Sequence, residues 1–167
     1  MFGRRKKSKI KDQAWILLQD CGDIISAVSE NRIYAEYLDK NPGKLLYGVF
    51  NVVGVCVYYV AGLNHVKTAE QMLECYSDMV GRYDENINPE KVTSEDAKRI
   101  INKYYQNARN ISDTLMDEER AGIEQITLKH AQEIYNSIEI SPSENDLLTL
   151  AKMLEEFYNK TYRRYYG

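Results

Sequence analysis

The most regular arrangement of metal-ligand residues in the sequence lies between Asp84 and Glu95. In the loop of a helix–loop–helix calcium site, oxygen ligands occupy the first, third, fifth and twelfth positions. Here those positions carry Asp84, Asn86, Asn88 and Glu95. The sixth position normally holds glycine for a sharp turn, but here it is Pro89, whose φ is confined to about −65°. We therefore interpret the stretch as a polar interhelical loop and predict no metal site.

Other residues with metal-binding or nucleophilic chemistry are few and widely spaced. They are Cys21, Cys56, Cys75, His65 and His130. The cysteines lack the CxxC spacing of zinc sites, and their odd number does not indicate a disulfide framework. The sequence also lacks a glycine-rich phosphate loop and the GxSxG, HExxH and paired ExxH motifs. We therefore predict a protein that is not an enzyme and holds no cofactor, with His130 as a core or boundary residue between Ile126 and Ile134.

Polar and small side chains recur along one side of the uncharged segment that begins at Leu45. They are separated by four, three, four, four and three residues, which places them on one face of an α-helix. The face comprises Tyr47, Asn51, Gly54, Tyr58 and His65, together with Gly62 before His65. We predict that the face, without Gly62, is a contact seam with a neighbouring helix, which Gly54 and Gly48 would allow to approach closely. The alternative is a polar face that lines a small-molecule pocket.

Three structures compete for the segment Leu45–Leu63, whose 19 residues carry no charge. A membrane-spanning helix has about this length, but Asn51 and three glycines reduce its apolarity. The valines favour a β-strand, whereas the helical spacing of the polar residues contradicts a period of two. We predict a buried central helix at about residues 44–66, and the membrane span remains the second interpretation.

The rest of the chain shows helical patterns separated by capping or helix-breaking sequences. Apolar residues at steps of three and four predict a first helix over about residues 9–39, which ends at Asn41–Gly43. Capping sequences at Thr68–Gln71, Thr93–Asp96 and Ser141–Glu144 predict the starts of three later helices. The fold class that follows is all-α, a single-domain bundle of five or six helices around the apolar one.

The stretch of residues 94–137 combines a coiled-coil-like seam with an interruption. Apolar residues alternate steps of four and three from Ala97 to Leu115, as in a coiled coil. The pattern falters at Asp117–Arg120 and resumes at Ile123. The sequence is compatible with one long helix or with two helices that are separated by a break near Asn110–Asp113.

The first eleven residues are basic, whereas the rest of the chain is acidic. Six Lys or Arg residues fall within eight positions, from Arg4 to Lys11, while the whole chain has a net charge of −3. Without these six charges, residues 12–167 carry −9. We predict a flexible basic tail over residues 1–8, followed by one helical domain over residues 9–167.

Two segments are candidates for contacts with other molecules. Arg4, Arg5, Lys6 and Lys7 are candidate contacts for an anionic partner, either nucleic acid or a membrane surface. At the other end of the chain, Tyr158, Tyr162, Tyr165 and Tyr166 alternate with basic residues. Tyrosines of this kind are common in protein interfaces, so we predict a partner interface there. Packing of these tyrosines in the core and stacking on single-stranded nucleic acid are the alternatives.

Three functions are compatible with these observations. We expect a non-enzymatic assembly or adaptor protein that contacts a protein partner or a second copy of itself. The first alternative is a membrane-anchored helical subunit with residues 45–63 across the bilayer, and the second is a nucleic-acid-associated protein that uses its basic ends. Polar residues follow the basic tail too soon for a secretory signal, so the expected location is the cytoplasm or its membrane surface.

Overall fold

The structure is a computed structural model of the 167-residue chain, and it describes residues 2–29, 40–86, 88–117 and 122–167. Every regular element within those ranges is an α-helix. The helices are α1 (Phe2–Asp20), α2 (Gly22–Ser29), α3 (Pro42–Gly62), α4 (Val66–Val80), α5 (Ser94–Asp117), α6 (Ile123–Ser137) and α7 (Glu144–Tyr166).

α1 and α2 follow one another almost without interruption. Only Cys21 separates them, and the Ile25 amide donates a hydrogen bond to the Cys21 carbonyl oxygen at 3.0 Å. With these two counted as one arm, the described helices form a bundle of six, which confirms the predicted all-α bundle. The first helix was expected over residues 9–39. It begins instead at Phe2 and is irregular at Cys21, and residues 30–39 lie outside the described part.

α3 is the central helix, and it packs against α2, α4, α5, α6 and α7. Pro42 occupies its first turn, where the missing N–H of proline costs nothing. Val52, Val53 and Val60 are 0% exposed. A valine lowers helix propensity by about 0.5 kcal/mol, whereas its burial stabilises the fold by about 1.5–3 kcal/mol, so packing outweighs propensity. The predicted buried central helix is confirmed, with the bounds Pro42–Gly62.

Among the helices that the structure describes, one is long and apolar enough to cross a membrane. It is α3, over Gly43–Gly62. Its most apolar window is 67% buried inside the protein, as in the core helix of a bundle. The neighbouring helices therefore cover most of the surface that lipid would contact. Compatibility with a membrane span rests on length and composition, and insertion would require the bundle to open.

Two helices begin at positions other than the predicted ones. Ser143 rather than Ser141 caps α7, because the Asp146 amide donates to Ser143 Oγ at 3.1 Å. α4 begins at Val66, and Thr68 is buried on its inner face (3% exposed), so a capping role for Thr68 is wrong. Residue spacing alone did not show that Thr68 is buried on the inner face of α4, whose N-cap position is His65, or that Ser143 is the cap of α7.

The stretch that the sequence left open as one helix or two is two helices. α5 ends at Asp117, and α6 begins at Ile123 after the extended residue Gly122 (φ −75°, ψ 172°). The Gly122 amide donates to Gln125 Oε1 at 2.8 Å, which satisfies a backbone donor at the start of α6. The break expected near Asn110–Asp113 is wrong, because α5 is continuous there, and the two helices are instead separated after Asp117, where the apolar pattern falters.

Candidate functional site

The predicted seam of α3 meets α6 at Asn51. The Asn51 side chain is 2% exposed, and its Nδ2 donates to the Glu133 carbonyl oxygen at 3.1 Å. A buried amide without a partner would cost about 1–3 kcal/mol, so this bond removes a large penalty. Asn51 also borders an open polar groove of about 670 Å³ between α5 and α6, which includes Lys103 and Tyr104.

Two glycines allow neighbouring elements to approach α3 closely. A Cβ on Gly54 would lie 2.8 Å from Tyr104 Cβ and 3.0 Å from the Ile101 carbonyl oxygen, both in α5. A Cβ on Gly48 would lie 2.6 Å from Ile138 Cγ2. Backbone and Cβ atoms cannot move away as a flexible side chain can, so Gly54 sets the distance between α3 and α5.

Tyr58 brings the seam to a buried histidine. Its ring centroid is 5.9 Å from the imidazole of His130 in an edge-on arrangement, and 6.3 Å from the ring of Tyr105. His130 is 1% exposed, so the prediction that it is a core residue agrees with its position. Tyr58 therefore packs on the histidine from α3, while the polar partners of the ring come from other helices.

The two ring nitrogens of His130 connect three helices. Nε2 lies 3.1 Å from the Ala108 carbonyl oxygen in α5, and Nδ1 lies 3.0 Å from the Tyr158 hydroxyl in α7. A carbonyl oxygen only accepts, so Nε2 carries the proton and Nδ1 accepts from the Tyr158 O–H. The Ser112 hydroxyl oxygen lies 3.3 Å from Nε2. This network fixes α5, α6 and α7 relative to one another.

Burial keeps the histidine and its tyrosine partner neutral. Desolvation lowers the pKa of His130 to about 4, although the hydrogen bond to Ala108 raises it partly back. Burial also raises the pKa of Tyr158. Both groups are therefore uncharged at neutral pH, and both lie inside the bundle away from solvent. The arrangement acts as an internal hydrogen-bonded support.

Aromatic rings fasten the C-terminal end of α7 to the end of α3 and the start of α4. The rings of Tyr59 and Tyr158 stack with centroids 3.9 Å apart, and those of His65 and Tyr165 stack at 3.6 Å. The Tyr166 hydroxyl donates to the carbonyl oxygen of Leu63. The seam residue His65 and the C-terminal tyrosines, far apart in sequence, thus belong to one cluster.

The predicted tyrosine interface is divided by the fold. Tyr158 is 2% exposed and is bonded to His130, so its assignment to a partner surface is corrected: its ring packs in the core. Tyr165 is half-buried over His65. Tyr162 and Tyr166 are 52% and 51% exposed, with ring centroids 5.3 Å apart. These two residues are the part of the predicted interface that a partner could reach.

Two basic residues near these tyrosines are paired within the chain. Lys160 Nζ lies 2.7 Å from Asp20 Oδ1, and Arg164 Nη2 lies 2.8 Å from Asp20 Oδ2. The Asp20 side chain is only 13% exposed, whereas those of Lys160 and Arg164 are 61% and 32% exposed, so solvent partly screens the pairs. They join the end of α1 to α7, and they are not free for a nucleic-acid backbone.

Sequence reasoning missed a second stripe on α7, on the side that faces solvent. Its members recur at steps of four, three, four, three and four, the spacing of a coiled-coil seam. They are Leu148, Lys152, Glu155, Asn159, Tyr162 and Tyr166. All are exposed except Glu155, which is half-buried. We call these six residues the outer stripe. The spacing was present in the sequence, but a more apolar stripe on the same helix obscured it. This inner stripe is buried and comprises Leu150, Ala151, Leu154, Phe157 and Tyr158.

The loop with calcium-like spacing uses its side chains internally. Asn88 is 4% exposed; its Oδ1 accepts from the Val92 amide and its Nδ2 donates to the Val92 carbonyl oxygen, both at 2.9 Å. Asp84 Oδ1 accepts from the Asn86 amide at 3.0 Å. No group of three or more His, Cys, Asp or Glu side chains among the described residues could hold a metal ion.

The basic residues predicted as a tail are part of α1. Residues 2–8 are helical, because α1 begins at Phe2. The side chains of Lys6 and Lys7 are exposed, while those of Arg4 and Arg5 lie outside the described part. The structure thus presents the predicted anion-binding residues on a helix.

Comparison with known proteins finds no matching family model, no matching curated protein and no matching solved structure.

Proposed function

We propose that the protein is a non-enzymatic helical assembly protein whose α7 pairs with α7 of a second copy in antiparallel orientation. The observation that carries this proposal is the outer stripe. It presents a coiled-coil spacing to solvent along 18 residue steps, from Leu148 to Tyr166. At a rise of 1.5 Å per residue, that is about 27 Å of helix. The inner stripe of α7 already packs on the bundle, so the outer one is available to another chain.

The outer stripe is complementary to itself when two copies run antiparallel. A register centred between Glu155 and Asn159 places Leu148 opposite Tyr166, Lys152 opposite Tyr162, and Glu155 opposite Asn159. Each pair combines suitable chemistry: an aliphatic side chain on a ring, a cation over a ring, and an amide donor to a carboxylate. A two-fold axis makes every contact occur twice, as in the commonest class of protein dimer.

The C-terminal end of the stripe is held in place by contacts within the chain. Tyr166 is bonded to the Leu63 carbonyl oxygen, and neighbouring Tyr165 stacks on His65. The pairs between Asp20 and the two basic residues of α7 fix the same helix end. Less side-chain and helix freedom is therefore lost on association, which favours binding.

The size of the stripe sets the expected affinity. Stable interfaces use about 20–30 residues a side, and the outer stripe supplies six. Flanking residues of α6, such as Glu124 and Leu128, border a shallow groove beside Leu148 and add area. We expect a reversible dimer with a Kd in the micromolar range.

Sedimentation equilibrium of the full chain tests the proposal. The Tyr162→Ala variant removes two ring contacts from each dimer, so we expect at least about tenfold weaker association, or 1.4 kcal/mol. Glu156→Ala is the matched control, since Glu156 is exposed on α7 but outside the stripe. A wild-type chain that stays monomeric at about 100 μM, or equal association of both variants, would contradict the proposal.

A further inference from the structure

The fold forms a groove at the base of the basic segment that the sequence alone does not reveal. It lies between α1 and the end of α4 and has a volume of about 400 Å³. Trp15, the only tryptophan of the chain, lines it and is 47% exposed. Tyr83 and Arg82, from just after α4, line the same groove, together with Lys11 and Met79. Aromatic and cationic side chains from two distant segments therefore meet there.

We propose that α1 and this groove bind a single-stranded nucleic acid. Trp15 and Tyr83 stack on unpaired bases, while Lys11 and Arg82 contact phosphates beside them. The strand then follows the basic residues of α1 towards Phe2. Proteins that bind single strands without sequence preference combine these two features, aromatic stacking platforms and a cationic track for the backbone.

The lysines of α1 form no ion pair within the part of the chain that the structure describes. Lys6, Lys7, Lys9 and Lys11 are exposed and take part in no hydrogen bond or ion pair with any residue that the structure describes. Lys7 and Lys11 are four residues apart on one helix, where like charges repel. The basic residues also lie towards the helix N-terminus, where the macrodipole disfavours cations. A bound polyanion would neutralise the lysines and so remove both unfavourable interactions. This gain favours the binding of such a ligand to α1.

The shape of the groove favours a strand with free bases over a membrane surface. A bilayer is nearly planar and contacts protruding side chains, whereas Trp15 and Tyr83 line a recess between two helices. Asp78 lines the same recess and would face anionic lipid headgroups at an electrostatic cost. Bases carry N–H donors, either exocyclic amino groups or the ring N3–H of thymine and uracil, from which a carboxylate such as Asp78 can accept. The volume also lies within the range of small-ligand sites, about 300–1,000 Å³, which suits a base but not a duplex.

Fluorescence anisotropy with labelled oligo(dT) and oligo(U) of about 15 nucleotides tests the proposal on the full chain. We expect both oligonucleotides to bind, and the binding to weaken with salt. The slope of log K against log salt falls by about 0.7 for each phosphate that the protein no longer neutralises. Lys6→Gln/Lys7→Gln/Lys9→Gln should therefore reduce the slope by about 2. The control Lys98→Gln/Lys103→Gln/Lys129→Gln makes the same charge change elsewhere and should leave the slope unchanged.

The stacking part of the proposal has its own variant pair. Trp15→Ala should weaken binding about tenfold with the salt slope unchanged, and Ile16→Ala, an exposed neighbour (41%), should not. Circular dichroism melts verify that both variants are folded. Equal binding by Trp15→Ala and wild type, tighter binding of duplex than of single strands, or binding to phosphatidylserine vesicles without binding to either oligonucleotide would each overturn the proposal.

Discussion

The interior around His130 and the basic end of α1 differ in whether their polar groups have partners within the chain. In the interior, the histidine has partners at both nitrogens, and burial keeps it uncharged. In α1, the side chains of Lys6, Lys7 and Lys9 are charged, exposed and unpaired within the described chain. We expect the first region to contribute to the stability of the fold and the second to reduce it through repulsion between like charges. Contacts with other molecules are expected where a fold leaves side chains without partners. The outer stripe of α7, which is exposed to solvent, is a weaker example of such a region.

The strongest way to break the interior is to separate α3 from α5. Gly54→Val places a side chain against Tyr104 Cβ and the Ile101 carbonyl oxygen, and we expect the free energy of unfolding to fall by about 3 kcal/mol. Gly62→Ala is the control, because a Cβ there meets nothing within 4 Å, and it should stay within about 1 kcal/mol of wild type. Urea denaturation measures both. Equal stability of the two variants would show that the close approach is not required.

Acid should cause the next largest loss of stability in the interior. The pKa of His130 is lowered to about 4 in the fold, below the value of about 6.5 in an unfolded chain. Above pH 6.5 both states are neutral there, and as the pH falls towards 4 only the unfolded state takes up the proton. Stability should therefore fall over this window, by about 3 kcal/mol from this residue. The loss should be smaller in His130→Gln, and identical pH profiles of the two proteins would contradict the buried neutral state.

A smaller effect is expected when one hydrogen bond of the interior is removed. Tyr158→Phe leaves His130 Nδ1 buried without its donor, and we expect a loss of about 1–2 kcal/mol in the free energy of unfolding. Tyr162→Phe removes the same atom from an exposed ring and should change stability by less than about 0.5 kcal/mol. Thermal unfolding followed by circular dichroism compares them, and the account is contradicted if the exposed variant loses more.

The basic end of α1 should respond with the opposite sign. Lys7 has Arg4 three residues before it and Lys11 four residues after it, so Lys7→Glu replaces two like-charge pairs by opposite-charge pairs. We expect stability to rise by about 0.5–1 kcal/mol at low salt, and the gain to shrink as salt is added. The control Lys129→Glu changes the same charge on α6. A loss of stability in Lys7→Glu would show that the lysines are not in mutual repulsion.

The bundle could be predicted because its main signals are local. The spacing of Asn51, Gly54 and Tyr58 distinguished a helix from a strand in the valine-rich segment, and α3 follows that pattern. The extent of α1 could not be predicted, because charge density suggested a flexible tail while the helix continues to Phe2. The predicted helix starts were wrong at Thr68, which is buried on the inner face of α4, and at Ser141, because Ser143 is the cap of α7.

The proposed interaction surfaces could not be predicted from the spacing of residues along the chain. α7 has two stripes with helical spacing, and pattern alone does not say that Tyr158 faces His130 while Tyr162 faces solvent. Trp15 and Tyr83 are far apart in the chain, and only the tertiary fold brings them to the same groove. The residues on one face of a single helix can be predicted from their spacing in the sequence. A surface formed by two helices cannot be predicted in this way.

Disulfide trapping tests the antiparallel pairing of α7 most directly. In the register centred between Glu155 and Asn159, residue 152 lies opposite residue 162 of the second copy. The two copies of residue 162 are about 15 Å apart, which is beyond the reach of a disulfide. Under mild oxidation, we predict that Lys152→Cys/Tyr162→Cys forms a cross-linked dimer on a non-reducing gel and that Tyr162→Cys alone does not. Cross-linking by the single variant, or none by the double variant, would contradict the account.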